Sequence, residues 1–317
     1  MSHGAVEIDG ISFDFVQNRL LGGKVYRHPD GSSFVRLGSK VDTLEEEIHT
    51  RTLHNRGYPV PEVIAHGERD GEYYFIETSL GSDHFGAIFM NERTETGIAS
   101  QENFGLFETI CAKYFEAQSN PKNYLRKGED IDGVARIPEL IISYDDLDER
   151  KLNAVLDKLR SRLGKLPSTY LQTDLNAFNI MPQGIIDFEY MHAGPVGYDV
   201  ATNIHFGRFF PKNEAFDMTC AYEFSDEQIN HYSELMDDIA SQNRAPKPSD
   251  YLDDFLVLKS MWGASKGVRS RENPNRMRLF WLWRREVMER CMDMYLADVP
   301  IDTSSFQEVD QVILAHQ

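Results

Sequence analysis

Long apolar runs are missing from this chain. No stretch approaches the roughly 20 residues that a membrane-spanning helix needs, and Met1-Ser2-His3-Gly4-Ala5-Val6-Glu7 has no basic segment followed by an apolar one. Neither a membrane partner nor secretion is expected, and the expected location is cytoplasmic. Cysteine is scarce: Cys111, Cys220 and Cys291 stand far apart with no paired spacing, which argues against a disulfide framework and a zinc site. Positive charge is in short supply as well. With 33 Lys and Arg against 51 Asp and Glu the formal charge is −18, a field that repels phosphate backbones and gathers cations near any cleft. Nucleic acid is therefore not an expected partner, although acidity can also serve solubility alone. Internal repeats and low-complexity segments are absent too.

What is there is the composition of a globular protein, 41% hydrophobic and 26% charged residues over 317 positions. That length accommodates about two domains or one large one. The first 80 or so residues read as strands around one helix. Val25 to His28, the turn Pro29-Asp30-Gly31 and Ser33 to Leu37 form one predicted hairpin; Val63 to Ala65, Arg69-Asp70-Gly71 and Tyr73 to Ile76 form a second. Between them a helix is predicted over residues 43 to 56, with Asp42 and Glu45 as a capping box and Gly57 as its stop. From about residue 101 the apolar period becomes helical, as at Phe104, Phe107, Cys111 and Tyr114, then at Leu152, Leu156, Leu159 and Leu163. Ser225 to Gln228 is a further capping box, and Pro246-Lys247-Pro248 interrupts before two more helices.

One stretch differs in character, running from Tyr170-Leu171-Gln172-Thr173-Asp174 through Asn179 and Pro182-Gln183-Gly184 to Ile185-Ile186-Asp187-Phe188-Glu189-Tyr190. It reads as strand, polar loop and tight hairpin, a geometry that gathers Asp174, Asn179 and Asp187. Phosphoryl transfer needs one carboxylate to orient the attacking hydroxyl and separate oxygen ligands for magnesium on the nucleotide phosphates, and these three are of the right types. Asp-x-x-x-x-Asn alone is weak, because both residues are common in turns. The joint pattern resembles the catalytic and metal-binding loops of the aminoglycoside phosphotransferase and choline kinase family, relatives of the protein kinase loops.

The resemblance implies an α+β, bilobal protein kinase-like fold. A small β-rich nucleotide-binding lobe would span residues 1–80, and a larger, mainly helical catalytic and acceptor-binding lobe residues 81–317. It implies Asp174 as catalytic base, Asn179 and Asp187 as ligands of Mg²⁺, and Asp199, in Gly197-Tyr198-Asp199-Val200-Ala201, as support of the catalytic loop. Taken on its residues alone, Asp199 is a helix N-cap, and the two readings are compatible. Arg36 stands where the family carries a phosphate-binding lysine. Glu46 best fits its helical partner, although Glu45 and Glu47 are equivalent by charge and all three suit a helix start. Glu77-Thr78-Ser79-Leu80-Gly81 resembles the hinge whose backbone holds the purine, and Gly23, in Gly22-Gly23-Lys24, is the candidate for covering the phosphates. The implied nucleotide is ATP, with GTP as the alternative, and the implied assembly is a monomer or homodimer.

Three positions depart from the family pattern: Gln172 replaces the histidine two residues before the catalytic aspartate, Arg36 replaces lysine, and the glycine loop is thin. They motivate a second reading, a catalytically silent nucleotide-binding or scaffold protein on the same fold. A metal-dependent hydrolase using Asp174, Asp187 and Asp199 is a third, but it lacks a histidine cluster. The acceptor is expected to be a small cationic molecule, aminoglycoside-like or choline-like, met by Glu189, Tyr190 and Trp262. Asn203-Ile204-His205-Phe206 follows the choline and ethanolamine kinase pattern, while Trp281 and Trp283 lie in an apolar run that reads equally as helical core.

Overall fold

The computed structural model of the chain describes residues 4–19, 22–96, 99–125, 130–188, 191–216, 218–220, 222–267 and 277–315. Its first layer is an antiparallel sheet of β1 (Val6–Ile8), β2 (Ile11–Asn18), β3 (Lys24–Arg27), β4 (Ser33–Gly38), β5 (Val63–Arg69) and β6 (Glu72–Thr78), in the order β1-β2-β3-β4-β6-β5. The β3–β4 and β5–β6 hairpins lie where their turn residues predict them. A further hairpin, β1–β2, not among those predicted, turns at Asp9 and Gly10 with φ of 51° and 79°, on the same Asp-Gly signal.

Helix α1 (Lys40–Asn55) packs on this sheet against β4, β5 and β6. It starts earlier than predicted, because the cap is Ser39 and not Asp42: the Asp42 N–H donates to Ser39 Oγ at 3.2 Å. Its inner face carries buried Glu47, which accepts from Tyr73 Oη at 2.5 Å and from Arg51 Nε at 2.6 Å, tying helix to strand.

The helical layer comprises α2 (Phe85–Thr96), α3 (Gln101–Ser119), α4 (Ile131–Ala135), α5 (Ile137–Ser143), α6 (Glu149–Leu163), α7 (Tyr198–Asn203), α8 (Asp226–Asn243), α9 (Leu252–Ser265), α10 (Arg278–Leu296) and α11 (Val309–Ala315). The periodic residues of α3 and α6 are its core, since Phe104, Phe107, Cys111, Tyr114, Leu152, Leu156, Leu159 and Leu163 are all buried. Leu53, Tyr58 and Val60 join that same core, so the end of α1 is anchored in the helical layer. Helix α9 is buried on nearly every side, which is unusual for a segment that carries a lysine in mid-run. Trp283 takes the core alternative, buried with its Nε1–H donating to Asp310 Oδ1 at 2.8 Å.

Two short pairs of strands complete the frame. Strand β7 (Ser168–Leu171) pairs with β10 (His192–Pro195), and β8 (Ile180–Met181) with β9 (Gly184–Ile185) between them. The β8–β9 hairpin is pressed against the segment before β5, where the Ile185 N–H donates to Pro59 O at 2.7 Å. Only glycine fits at 184, because a Cβ there would lie 2.3 Å from the same carbonyl oxygen.

Burial pushes the Glu47 carboxyl up, but the Tyr73 hydroxyl and Arg51 outweigh it and hold it below its ordinary 4.5. A depressed carboxyl stabilises the fold above that ordinary value, and the contribution is lost as pH falls through the folded value. Tyr73→Phe should therefore cost about 1.5–3 kcal/mol near neutrality, the range for a hydrogen bond to a charged group. In denaturant titrations the gap to wild type should narrow as the pH is lowered to about 3; an equal gap throughout would contradict the assignment.

Candidate active site

The polar loop after β7 is held from beneath by one buried carboxylate. Asp199 Oδ2 accepts from the Gln172 N–H at 2.9 Å, Tyr114 Oη at 2.7 Å and Gln118 Nε2 at 3.3 Å, while Oδ1 accepts from the Thr173 N–H at 3.0 Å. Burial pushes this carboxyl up, and the bonds from Tyr114, Gln172 and Thr173 pull the other way. Asp199 is not the N-cap that its position alone predicts: α7 begins at Tyr198, the cap position is Gly197, and the aspartate lies in the first turn with its side chain turned to the loop. Gln172 is fully buried and donates from Nε2 to Asp187 O at 2.8 Å, joining the loop to the segment after β9. Thr173 and Asp187 both have left-handed backbone, φ 62° and 66°. For a threonine this is uncommon, and the Asp199 bonds hold it there.

Asp174 is half-buried in this loop. Asn179 Nδ2 donates to the Asp174 main-chain oxygen at 3.0 Å, and the Ile186 N–H to Asn179 O at 2.9 Å, so the bond network brings all three sequence-predicted residues together. Asn179 and Asp187 line an interlobe cleft of about 600 Å³ along with Arg36, Glu77, Thr78, Leu80 and Phe178. Two oxygen-bearing side chains on one wall of such a cleft, half-exposed to it, suit a hard cation such as Mg²⁺ that completes its shell with phosphate and water. Among the described residues no group of three or more His, Cys, Asp or Glu side chains forms a protein-only metal cage.

The opposite wall carries a buried charge cluster. Arg36 Nε donates to Glu77 Oε1 at 2.7 Å and Nη1 lies 3.0 Å from Glu46 Oε1, while Arg19 forms an ion pair with Glu46. Burial disfavours the Arg36 charge, but the two carboxylates outweigh it and raise its pKa. Glu77 moves up because burial outweighs its single bond from Arg36. Of the helical acids, Glu46 is the one on Arg36; Glu47 turns to Tyr73, and Glu45 is exposed. Glu77 was expected to act through its backbone, yet its side chain is half of this buried pair. Ser79 does not line the cleft, and its N–H donates to Ser32 O at 2.9 Å, which removes it as a purine donor. The Leu80 N–H has no hydrogen-bond partner among the described residues. Gly23 does not reach the cleft either: it lines a neighbouring cavity, and its glycine character follows from close approach to β4, where a Cβ would stand 2.8 Å from Leu37 O. From that loop it is Arg19 that faces the cleft.

The acceptor side differs from expectation most. Lys266 Nζ lies 3.1 Å from Asp174 Oδ2; Lys259 Nζ lies 3.9 Å from Oδ1 and donates to Thr173 O at 2.8 Å. Burial pushes the Asp174 carboxyl up, but Lys266 and Lys259 outweigh it and leave it below the usual range. Burial brings Lys259 down to about 8. Trp262 is buried, and its ring centroid lies 3.9 Å from Lys259 Nζ and 3.7 Å from Lys266 Nζ, so the indole expected to meet a cationic acceptor already holds two cations of the chain. Asn203 bonds to Cys111, His205 to Thr303, and Phe206 packs in the core. Glu189 and Tyr190 lie outside the described residues. The lysines escaped sequence analysis although one signal was present: Lys259, Trp262 and Lys266 share a helical face inside an apolar run.

The sequence pattern of the phosphotransferase enzyme family matches residues 25–232, well over half of the chain. The chain belongs to the phosphotransferase enzyme family. Among curated proteins, none matches this phosphotransferase by sequence. In fold it is similar to a choline/ethanolamine kinase family protein from Mesorhizobium loti, at 16% identity and TM-score 0.59, over 95% of this chain and 93% of that one. A thermostable mutant of aminoglycoside phosphotransferase APH(4)-Ia, solved as a ternary complex with AMP-PNP and hygromycin B, is similar at 13% identity and TM-score 0.57, over 89% and 93%. A Plasmodium vivax ethanolamine kinase is similar at 12% identity and TM-score 0.55, over 84% and 79%. The α+β kinase-like fold is thus shared across this group.

If Asp199 holds the loop of this phosphotransferase, Asp199→Ala should cost about 3–5 kcal/mol, since it leaves buried donors without an acceptor. Denaturant unfolding measures this; a loss below about 1 kcal/mol would mean that the loop is held by something else.

Proposed function

We propose that the protein transfers the γ-phosphoryl group of ATP to a hydroxyl of a small molecule, with Asp174 as the base. The observation that carries this reading is the bond network that joins Asp174, Asn179 and the segment bearing Asp187, with Asn179 and Asp187 lining the same cleft as Arg36. The family membership and the nucleotide-bound neighbour support it.

The acceptor hydroxyl sits against the Asp174 carboxylate, which the adjacent lysines keep ionised. Its oxygen bonds to the γ-phosphorus, the bond from that phosphorus to the β,γ-bridging oxygen breaks, and the proton passes to Asp174 as ADP leaves. Asn179 and Asp187 would hold Mg²⁺, which neutralises phosphate charge when bound. Arg36, fixed by Glu46 and Glu77, stands on the opposite wall as a cation facing the phosphates. The Leu80 N–H is the hinge donor for the base, a backbone contact that accommodates ATP or GTP. Gln172 answers the question raised by the missing histidine, because it braces the same loop through the Asp187 main chain. That brace favours an active enzyme over a silent nucleotide-binding protein.

Two measurements test the roles separately. Asp174→Asn keeps the side-chain shape and removes its basicity, so turnover should fall by about 10²–10⁴ while MgATP affinity is nearly unchanged. Retention of more than about a tenth of wild-type turnover would rule out a general base at this position. Asp187→Asn tolerates the left-handed backbone better than alanine would. It should weaken magnesium-dependent nucleotide binding at least tenfold, about 1.4 kcal/mol by calorimetry, with binding in EDTA unaltered. Equal losses with and without magnesium would remove Asp187 from the metal site.

A further inference from the structure

Lys259 is the one charged residue in the run 255–264 of α9; its neighbours there are buried or half-buried, and it is itself 3% exposed. Methionine or leucine would pack the same space without taking a charge out of water, so packing does not explain an ammonium here. Three contacts fix it. Nζ donates to Thr173 O at 2.8 Å, lies 3.9 Å from Asp174 Oδ1, and rests 3.9 Å from the centroid of the Trp262 ring, one turn further along the same helix.

The Thr173 carbonyl belongs to the peptide plane that joins Thr173 to Asp174. At the other end of the same residue the Thr173 N–H donates to Asp199 Oδ1 at 3.0 Å. The left-handed residue before the base is thus gripped at both of its main-chain polar groups, by a carboxylate on one and by an ammonium on the other. Turning the plane between residues 173 and 174 would break the lysine bond and swing the Asp174 Cα–Cβ direction with it. Because the same Nζ stands beside the Asp174 carboxylate, one cation acts on the base at its root and at its tip.

We propose that Lys259 is a positioning residue of phosphotransfer: its ammonium holds the Thr173–Asp174 peptide by a hydrogen bond and the Asp174 carboxylate by charge, in the one arrangement that receives the acceptor hydroxyl. This role rests on the phosphotransfer reading above and adds to it a residue that does not line the Arg36 cleft. The charge is also easily lost. Burial, reinforced by Lys266 at the end of α9 and Arg284 on α10, outweighs Asp174 in the loop and Asp199 on α7 and brings the ammonium down to about 8. Above that pH a neutral amine still bonds to Thr173 O but no longer attracts the carboxylate, so turnover should fall while nucleotide binding persists.

The test sets a pH profile of kcat beside a nucleotide titration. Full-length protein is given MgATP and a pool of amino alcohols, aminoglycosides, sugars and hydroxy acids, and acceptor-dependent ADP release is followed. The member that responds is used for kcat and KM, and MgAMP-PNP affinity is measured by calorimetry on the same preparations. Lys259→Met should lower kcat by about 10–100-fold and leave MgAMP-PNP affinity unchanged. Wild-type kcat should fall as the pH rises through about 8; Lys259→Met should lack that limb, and Lys259→Arg should move it upward, because a guanidinium stays charged. The same alkaline limb in all three proteins overturns the role, and parallel losses of kcat and MgAMP-PNP affinity would make Lys259 a structural residue instead. Should Lys259→Met fail to fold, the wild-type profile decides, since a kcat that is flat across about pH 7–10 leaves no part for this ammonium. No turnover of any pool member by the wild type removes the reaction and this role together, whereas wild-type turnover with kcat unchanged in Lys259→Met removes the role alone.

Discussion

The Asp199 carboxylate accepts from two consecutive backbone N–H groups, those of Gln172 and Thr173, and from the Tyr114 hydroxyl. Everything on the catalytic side follows from that arrangement. Two N–H groups directed at one carboxylate bend the chain so that Thr173 takes a left-handed backbone, and the carboxylate of the next residue, Asp174, meets Lys266 and Lys259. The carboxylate is itself secured by Tyr114 and Gln118, one turn apart on α3. The catalytic loop is thereby referred to the centre of the helical core and not to the surface.

On the other wall charge does the corresponding work. Arg36, Arg19, Glu46 and Glu77 alternate in sign across strand, loop and helix, so two positive charges meet two negative ones out of water. Such a cluster gains little net stability, because the loss of hydration offsets most of the attraction. Its effect is geometric: it fixes one guanidinium over the cleft. Arg284 is held differently, by one hydrogen bond to Gly263 O at 3.0 Å and by the faces of Phe280 and Phe210.

Much of this was legible in the residues. The turns at Pro29-Asp30-Gly31 and Arg69-Asp70-Gly71 mark two hairpins because their backbone requirements are local, and the apolar spacing in α3 and α6 marks buried faces for the same reason. Asp174, Asn179 and Asp187 could be read together because a single loop and hairpin carry them. Other features depend on contacts distant in sequence. Nothing near Glu77 reveals that its side chain will meet Arg36, 41 residues away, or that Ser32 will take the Ser79 N–H. Lys266 reaches Asp174 across 92 residues. The lysines beside Asp174 meet it only when α9 is packed behind the loop, and the overall acidity of the chain points the other way.

The short hairpin β8–β9 is fastened on two sides, by the Ile185 N–H to Pro59 O at 2.7 Å and by the Gln183 N–H to Leu80 O at 3.0 Å. Pro59 precedes β5 and Leu80 follows β6, so one six-residue hairpin clasps both ends of the β5–β6 pair. Both donors and both acceptors are main-chain groups, and the clasp is therefore written in the backbone and independent of which side chains stand at those four positions.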